Sequence, residues 1–492
     1  MDKFPFKLTA VCLAASLLTG CGSMRSYQSE LKGTVDAASR GQVDVALAQL
    51  ESNNTGEDKD LLYFLEKGKL LTLKNDLPQS VEAWQKADEK VRIWEDAVKT
   101  DPYKLMGDIS SYIVNDKSRR YDGYDYEKVM LNTFLTVNQA ASGRWEDARV
   151  EIKKTHEREA LIAEFRAKET EKVEESAKSR NVKTSFKDLK GYPVETLDDA
   201  EVVGLKNSYQ SAFSHYLAGF VYEALGEPSL AAPGYRKAIE LRPNVKLLED
   251  GLSDVDNRGR RIKPNQTDVL FVVETGTAPA RVSQTIPFPV WWKGAFLVTP
   301  ISFPVIRPDR NVFLPSSLSV SGRSLPVASV TSIDAMSRRA LRDDMPGIIV
   351  RSAVRAAAKG VAQKEIGDRA GPLGGLIATV AAVATESADE RTWRTLPSQI
   401  AIARDTLPAG HHTISIATPQ GEKRVEVDLA GKHAIVPIRL MGDRVYLVQP
   451  SVPALPSATQ MAVAESATVP ASEPAKPVKA KGKKAKNKGT ES

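Results

Sequence analysis

The side chains able to act as nucleophiles, general bases or metal ligands are few in this chain, and their spacing limits what they can do. Of five histidines, His156 falls in a charged helical segment, His215 in a helix of large apolar residues, and His411, His412 and His433 on strands near the end. Neighbours on a strand point to opposite faces, so His411 and His412 are not expected to share an ion. No H-E-x-x-H or C-x-x-C occurs, and no metal site is expected. The run GDRAGPLGG lacks the lysine and hydroxyl of a phosphate-binding loop, and is read as a connection between helices. Asp389, Arg391 and Arg394 beside Trp393 are expected to form a structural ion pair. Trp291-Trp292 would put one indole on each face of a strand, leaving one for a lipid surface or a partner. No catalytic residue and no cofactor is expected.

Cys21 is the exception. Lys3 and Lys7 precede an apolar stretch, Leu8 to Leu18, that is too short to span a bilayer. Leu18-Thr19-Gly20 then sets small residues directly before the Cys21 thiol, and the whole arrangement resembles the lipobox of bacterial lipoproteins. The resemblance implies cleavage before Cys21 and diacylglyceryl transfer to its sulfur. Residues 1–20 are then a signal peptide and 21–30 a lipidated polar tether. Cys12 leaves with the signal, so no intrachain disulfide is expected. Acyl chains contribute roughly 0.8 kcal/mol per buried CH2, enough to anchor the protein without a spanning helix. Gly22 and Ser23 stand where inner-membrane retention favours aspartate, which implies the outer membrane and its periplasmic side.

The elements that would position chemistry fall into two parts. From 31 to 250 apolar residues recur at helical spacing. The segment Ala212 to Pro243 resembles the tetratricopeptide repeat, with Gly219, Tyr222, Ala231, Tyr235, Ala238 and Pro243 at the repeat's spacing. Equivalent turns are expected at Gly41, Asn75, Gly143 and Gly226, each followed five residues on by a small residue: Ala46, Ser80, Ala148 and Ala231. A degenerate pair is placed at 92–122. The charge-dense stretch 153–190 reads as a solvated helical insertion projecting from the array, with a partner-binding helical arm as the alternative. A linker, 251–261, leads to an α+β domain at 262–449. There, prolines at 287, 289, 300 and 304 suggest edge strands or bulges, and Arg351, Arg355 and Lys359 lie on one helical stripe. Residues 450–492 hold almost no large apolar side chain and are expected to be disordered.

The formal charge of +6 is concentrated at the end, where residues 471–492 carry seven lysines against two glutamates and leave the body neutral. A neutral body argues against a nucleic-acid-binding domain. The lysines would meet an anionic envelope polymer or only keep the chain soluble. Together with GTAPARVSQTIPFPV, MPGIIVRSAVRAAAKG and ADERTWRTLPSQIAIARDTLPAGHHTISI, the repeats resemble a little-characterised family of bacterial envelope lipoproteins. That resemblance implies architecture and no activity. The expected function is a lipid-anchored, periplasm-facing scaffold that binds envelope proteins along its repeat groove, with Phe213, Tyr216, Phe220 and Glu223 on the inner face. The alternatives are an enzyme acting on peptidoglycan or an exported polysaccharide, or a structural subunit of a secretion or surface-organelle complex.

Overall fold

The computed structural model describes residues 27–102, 120–292, 295–385 and 387–450, with side chains described outside 289–297 and 361–385. Cys21, the tail beyond 450, most of the expected degenerate pair and the Trp291-Trp292 indoles therefore lie outside the described residues.

Four helix pairs open the chain. They are α1 (Tyr27–Ser39) with α2 (Val43–Asn53), α3 (Leu61–Leu73) with α4 (Leu77–Thr100), α5 (Asp125–Ala141) with α6 (Trp145–Arg180), and, after a short α7 (Ala200–Val203), α8 (Ala212–Ala224) with α9 (Pro228–Leu241). All four expected turns are the turns observed. Gly41, Asn75, Gly143 and Gly226 take positive φ of 62–86°. Each ends its helix with the same two bonds, as in Gly226 N–H to the Glu223 carbonyl and Glu227 N–H to the Tyr222 carbonyl. That double closure of the last turn needs a left-handed residue, which glycine and asparagine supply at least cost. Ala46, Ser80, Ala148 and Ala231 are all fully buried, so the small residue after each turn sits where the paired helices meet.

Two expectations for this region change. The charged stretch 153–190 does not project as an insertion: its first half continues α6, where Thr155, Arg158, Glu159, Ile162 and Phe165 are buried, and Val173 and Ala177 pack on Val350 and Val354. Residues 251–261 are helical rather than a linker, with α10 (Lys246–Ser253) and α11 (Val255–Arg261) folded back so that Arg258 reaches Glu223. Residues 92–100 belong to the unbroken α4.

The strands are β1 (Gln266–Thr275), β2 (Arg281–Trp292), β3 (Ala295–Ile306), β4 (Ser317–Val320), β5 (Arg323–Pro326), β6 (Ala328–Ser332), β7 (Gln399–Pro408), β8 (Gly410–Thr418), β9 (Gly421–Leu429), β10 (His433–Met441) and β11 (Arg444–Leu447). They form a five-stranded sheet in the order β11-β10-β1-β7-β6, a four-stranded sheet in the order β5-β4-β8-β9, and a separate β2-β3 ribbon. β1 lies parallel to β10 and antiparallel to β7. It is apolar on both faces because it is covered on both. Val269, Phe271 and Val273 pack with the four-stranded sheet, while Leu270 and Val272 join the core of the helical array. The helix array, five-stranded sheet and four-stranded sheet are thus three stacked layers of one compact unit.

Between β6 and β7 runs α12 (Ile333–Thr385), helical through the expected GDRAGPLGG connection. On the stripe of Arg351, Arg355 and Lys359, Arg355 is buried. An unbent helix from Arg351 to Thr385 would carry the chain about 50 Å away. Asp389 nevertheless lines the same cavity as Ile348 and Arg351, so the chain leaves and returns to one place beside β2. No helix among the described residues is long and apolar enough to cross a membrane.

Candidate functional site

The inner face of the helical array is the surface on which partner binding was expected, and its own chain fills it. α8 is buried all round, its Ser214, His215 and Glu223 included. Phe213, Tyr216 and Phe220 are at most 1% exposed and Glu223 is 7% exposed, because the five-stranded sheet covers them. These four residues are therefore not an open groove. The Phe213 N–H donates to Thr331 Oγ1 at 3.1 Å, and the Arg404 guanidinium lies 4.6 Å over the Phe220 ring. From β7, Arg404 donates to Asp268 at 2.5 and 3.0 Å, to Glu223 at 2.8 Å and to the Tyr235 hydroxyl at 2.9 Å. Asp268 is buried, yet Arg404 holds its carboxyl below the usual range against that burial. The neighbouring His433, packed between Trp145 and Phe220, is pushed down to about 4 by burial.

A second joint is formed by the loop after α12. Trp393 is fully buried in the array, with its ring centroid 6.0 Å from that of Trp84 and 6.4 Å from that of Phe134. Two carboxylates grip the backbone on either side of it. Glu127 accepts from the Trp393 N–H at 2.7 Å, the Thr392 hydroxyl at 3.0 Å, the Tyr124 N–H at 3.0 Å and the Tyr121 hydroxyl. Glu66 accepts from the N–H groups of Arg394 and Thr395 at 2.6 and 3.1 Å. Burial raises both carboxyls, Glu66 to about 7. Beside them Lys69 meets Glu274 at 2.6 Å and sits 3.9 Å from the Phe134 ring centre. Burial pulls its ammonium down to about 8.

The expected ion pair is present, Arg391 meeting Asp389 at 2.8 Å. His215 is buried against Glu159, with its ring stacked 5.3 Å from that of His156. His411 faces out between Glu426 and Asp428, whereas His412 points in to Ser321 and the Pro408 carbonyl. Among the described residues, no group of three His, Cys, Asp or Glu is placed to hold a metal ion.

No motif or spacing singles out Glu66, Lys69, Glu127, Arg404 or Asp268 in the sequence. α5 carried the overlooked signal, since all its residues are buried and its Glu127, Asn132, Asn138 and Gln139 must find partners inside.

Among the open clefts is one between α6, residues 184–209 and α12, with a volume of about 700 Å3. Val173, Phe186 and Tyr209 line it beside Lys187, Arg339 and Arg342.

No family model matches the chain, and no curated protein does. A solved tetratricopeptide repeat protein from Parabacteroides merdae is similar over 46% of this chain and 97% of its own, at 12% identity and a TM-score of 0.13. At that score the pairing of helices stands on the four turns described above.

Proposed function

We propose that this protein is a lipid-anchored, non-enzymatic interaction scaffold of the bacterial envelope, whose tetratricopeptide-like array holds its own C-terminal domain and meets partners elsewhere. The supporting observation is the self-filled groove. The array grips residues 388–398 as a repeat groove grips a peptide, with an aromatic anchor in a pocket and main-chain N–H groups on carboxylates, and so fixes all layers into one platform. The surface we assign to a protein partner is the cleft beside α12, where Val173, Phe186 and Tyr209 stand among charged side chains that include Lys187, Arg339 and Arg342. Cys21 would carry the acyl anchor at the outer membrane's periplasmic face, and the lysine tail would meet an anionic polymer of the envelope.

A photo-crosslinking amino acid placed at Thr184 or at Glu174 in the cleft, and at Ser415 on the outer sheet, tests this in cells making the full chain. One protein captured from both cleft positions and not from Ser415 is expected. Adducts identical at all three positions, or none from the cleft, would exclude it as the partner surface.

A further inference from the structure

Arg281 opens β2 beside the loop that follows α12, and it is only 5% exposed. Its Nε donates to the Asp389 carbonyl at 2.9 Å, and its guanidinium lies 4.7 Å over the Tyr124 ring. That occupies one donor and one face of the group. The terminal nitrogens, Nη1 and Nη2, have no acceptor among the described residues, and no carboxylate there pairs with them. Buried polar groups are nearly always hydrogen-bonded, so a guanidinium enclosed to this degree calls for a partner that its own chain does not supply.

Those nitrogens face a cavity of about 180 Å3 bounded by α4, α5, α6, α12 and β2. It has room for about six water molecules at roughly 30 Å3 each. Trp94, Tyr121, Phe165 and Ile348 make part of its wall apolar. The rest of the wall is ionic, and its carboxylates are already taken. Arg120 meets Asp122 at 2.8 Å and Arg391 meets Asp389 at 2.8 Å, while Arg166 holds Asp125, Glu169 and Asp344 at 2.5–2.6 Å. None of these pairs includes Arg281. Arg166 and Asp344 also line the cleft assigned to a protein partner, so the two spaces share a wall.

A guanidinium offers parallel N–H bonds to a planar pair of oxygens, which is the shape of a carboxylate. A neutral ligand would leave the buried charge unanswered. A phosphate would bring further negative charge in among the wall's own carboxylates, and like charges at that range repel. The apolar side of the cavity suits a short hydrocarbon chain or a ring behind the carboxylate. We infer that the cavity beside Arg281 binds a small molecule with one carboxylate on an apolar or aromatic body, the Arg281 fork holding the carboxylate and Trp94 and Phe165 meeting the body. This goes beyond the scaffold reading and does not depend on the lipid anchor.

Benzoate, its neutral analogue benzamide and inorganic phosphate are titrated against the full chain. Saturation-transfer NMR reads the first two directly and phosphate by its competition with benzoate. Saturable binding of benzoate is expected, with benzamide weaker by at least about tenfold, the scale of a hydrogen-bonded charge pair. Arg281→Gln should abolish benzoate binding. Arg281→Lys keeps a buried cation over the Tyr124 ring and gives up the planar fork, so it should weaken benzoate by about tenfold, and it decides the matter if Arg281→Gln folds poorly. Benzamide binding as tightly as benzoate, phosphate displacing benzoate at a lower concentration than benzoate itself needs, or undiminished binding in Arg281→Lys would each overturn the proposal. An absence of saturable benzoate binding would mean that water alone answers Arg281, and would overturn it too. Each of these results leaves crosslinking from the partner cleft untouched, so the cavity and the scaffold stand or fall separately.

Discussion

Glu66 and Glu127 are fully enclosed, and a carboxylate taken out of water is costly unless donors replace its hydration. Here three of the donors are main-chain N–H groups of residues more than 260 positions away, so side chains that hold the loop in place are also sensitive to pH. Glu66 has its pKa raised to about 7, above the ordinary value of 4.5. Its contribution to stability is therefore full below about pH 4.5 and is lost as pH rises through 7, an effect on the order of 3 kcal/mol. His433 works against it. Held down to about 4 from 6.5, it contributes above 6.5 and loses that contribution as pH falls toward 4. The two slopes oppose each other, so only a difference between variants separates them. Glu66→Gln keeps an acceptor for the loop and removes the titration. Urea midpoints should show wild type gaining on the variant by roughly 2–3 kcal/mol between pH 7.5 and pH 5. Parallel profiles would mean that the buried carboxyl does not titrate as the enclosure requires.

Each helix pair solves the same packing problem with a different pair of volumes. Seven residues before the four turns stand Thr34, Gly68, Thr136 and Gly219, and nine residues after them stand Leu50, Trp84, Ile152 and Tyr235. Where the first position is glycine, the second is a large aromatic; where it is threonine, the second is aliphatic. A Cβ on Gly219 would lie 2.6 Å from the Tyr235 ring, and one on Gly68 would collide with the Trp84 indole. Gly68→Thr should therefore destabilise by about 1–3 kcal/mol or more through overpacking. Trp84→Ile alone leaves a cavity and frees the Leu65 carbonyl that the indole N–H occupies, at a cost of about 3–5 kcal/mol. The double variant reproduces the Thr136/Ile152 combination and should cost at least about 1 kcal/mol less than the sum. Strict additivity in a double-mutant cycle would sink this size matching. The turns and the small residues behind them were legible in the sequence because each is fixed by a local requirement, a left-handed residue or a missing side chain. The filling of the inner face was not, since Glu127 and Trp393 are joined only by the packing of distant segments. A helix such as α8, in which apolar residues predominate, says that something must cover it without saying what.

At the scale of the whole molecule, helices and strands do not make separable domains. Leu270 and Val272 of β1, Ile400 and Ile402 of β7, and Trp393 lie in one core with Trp84, Phe134, Phe213 and Tyr216 of the array. The buried ions follow the same logic: Lys69 and Glu223 come from helices, while Glu274, Asp268 and Arg404 come from strands. Separating the layers would strand charges that have partners only across the joint. Removing one member of a buried pair typically costs about 3–5 kcal/mol, so losing several at once exceeds the roughly 5–15 kcal/mol by which a folded domain is stable. The chain should therefore unfold in urea as one transition, with far-ultraviolet circular dichroism and tryptophan fluorescence coincident, although its sequence pattern divides near residue 261. A fragment comprising residues 27–261 should keep helical circular dichroism while binding a dye for exposed apolar surface and losing a sharp transition. A 27–261 fragment that unfolds cooperatively and leaves the dye dark would show that the array folds on its own, with the sheet only resting on it. The buried ion pairs would then have to be satisfied by water when the layers part, and the inner face would be open to a partner after all.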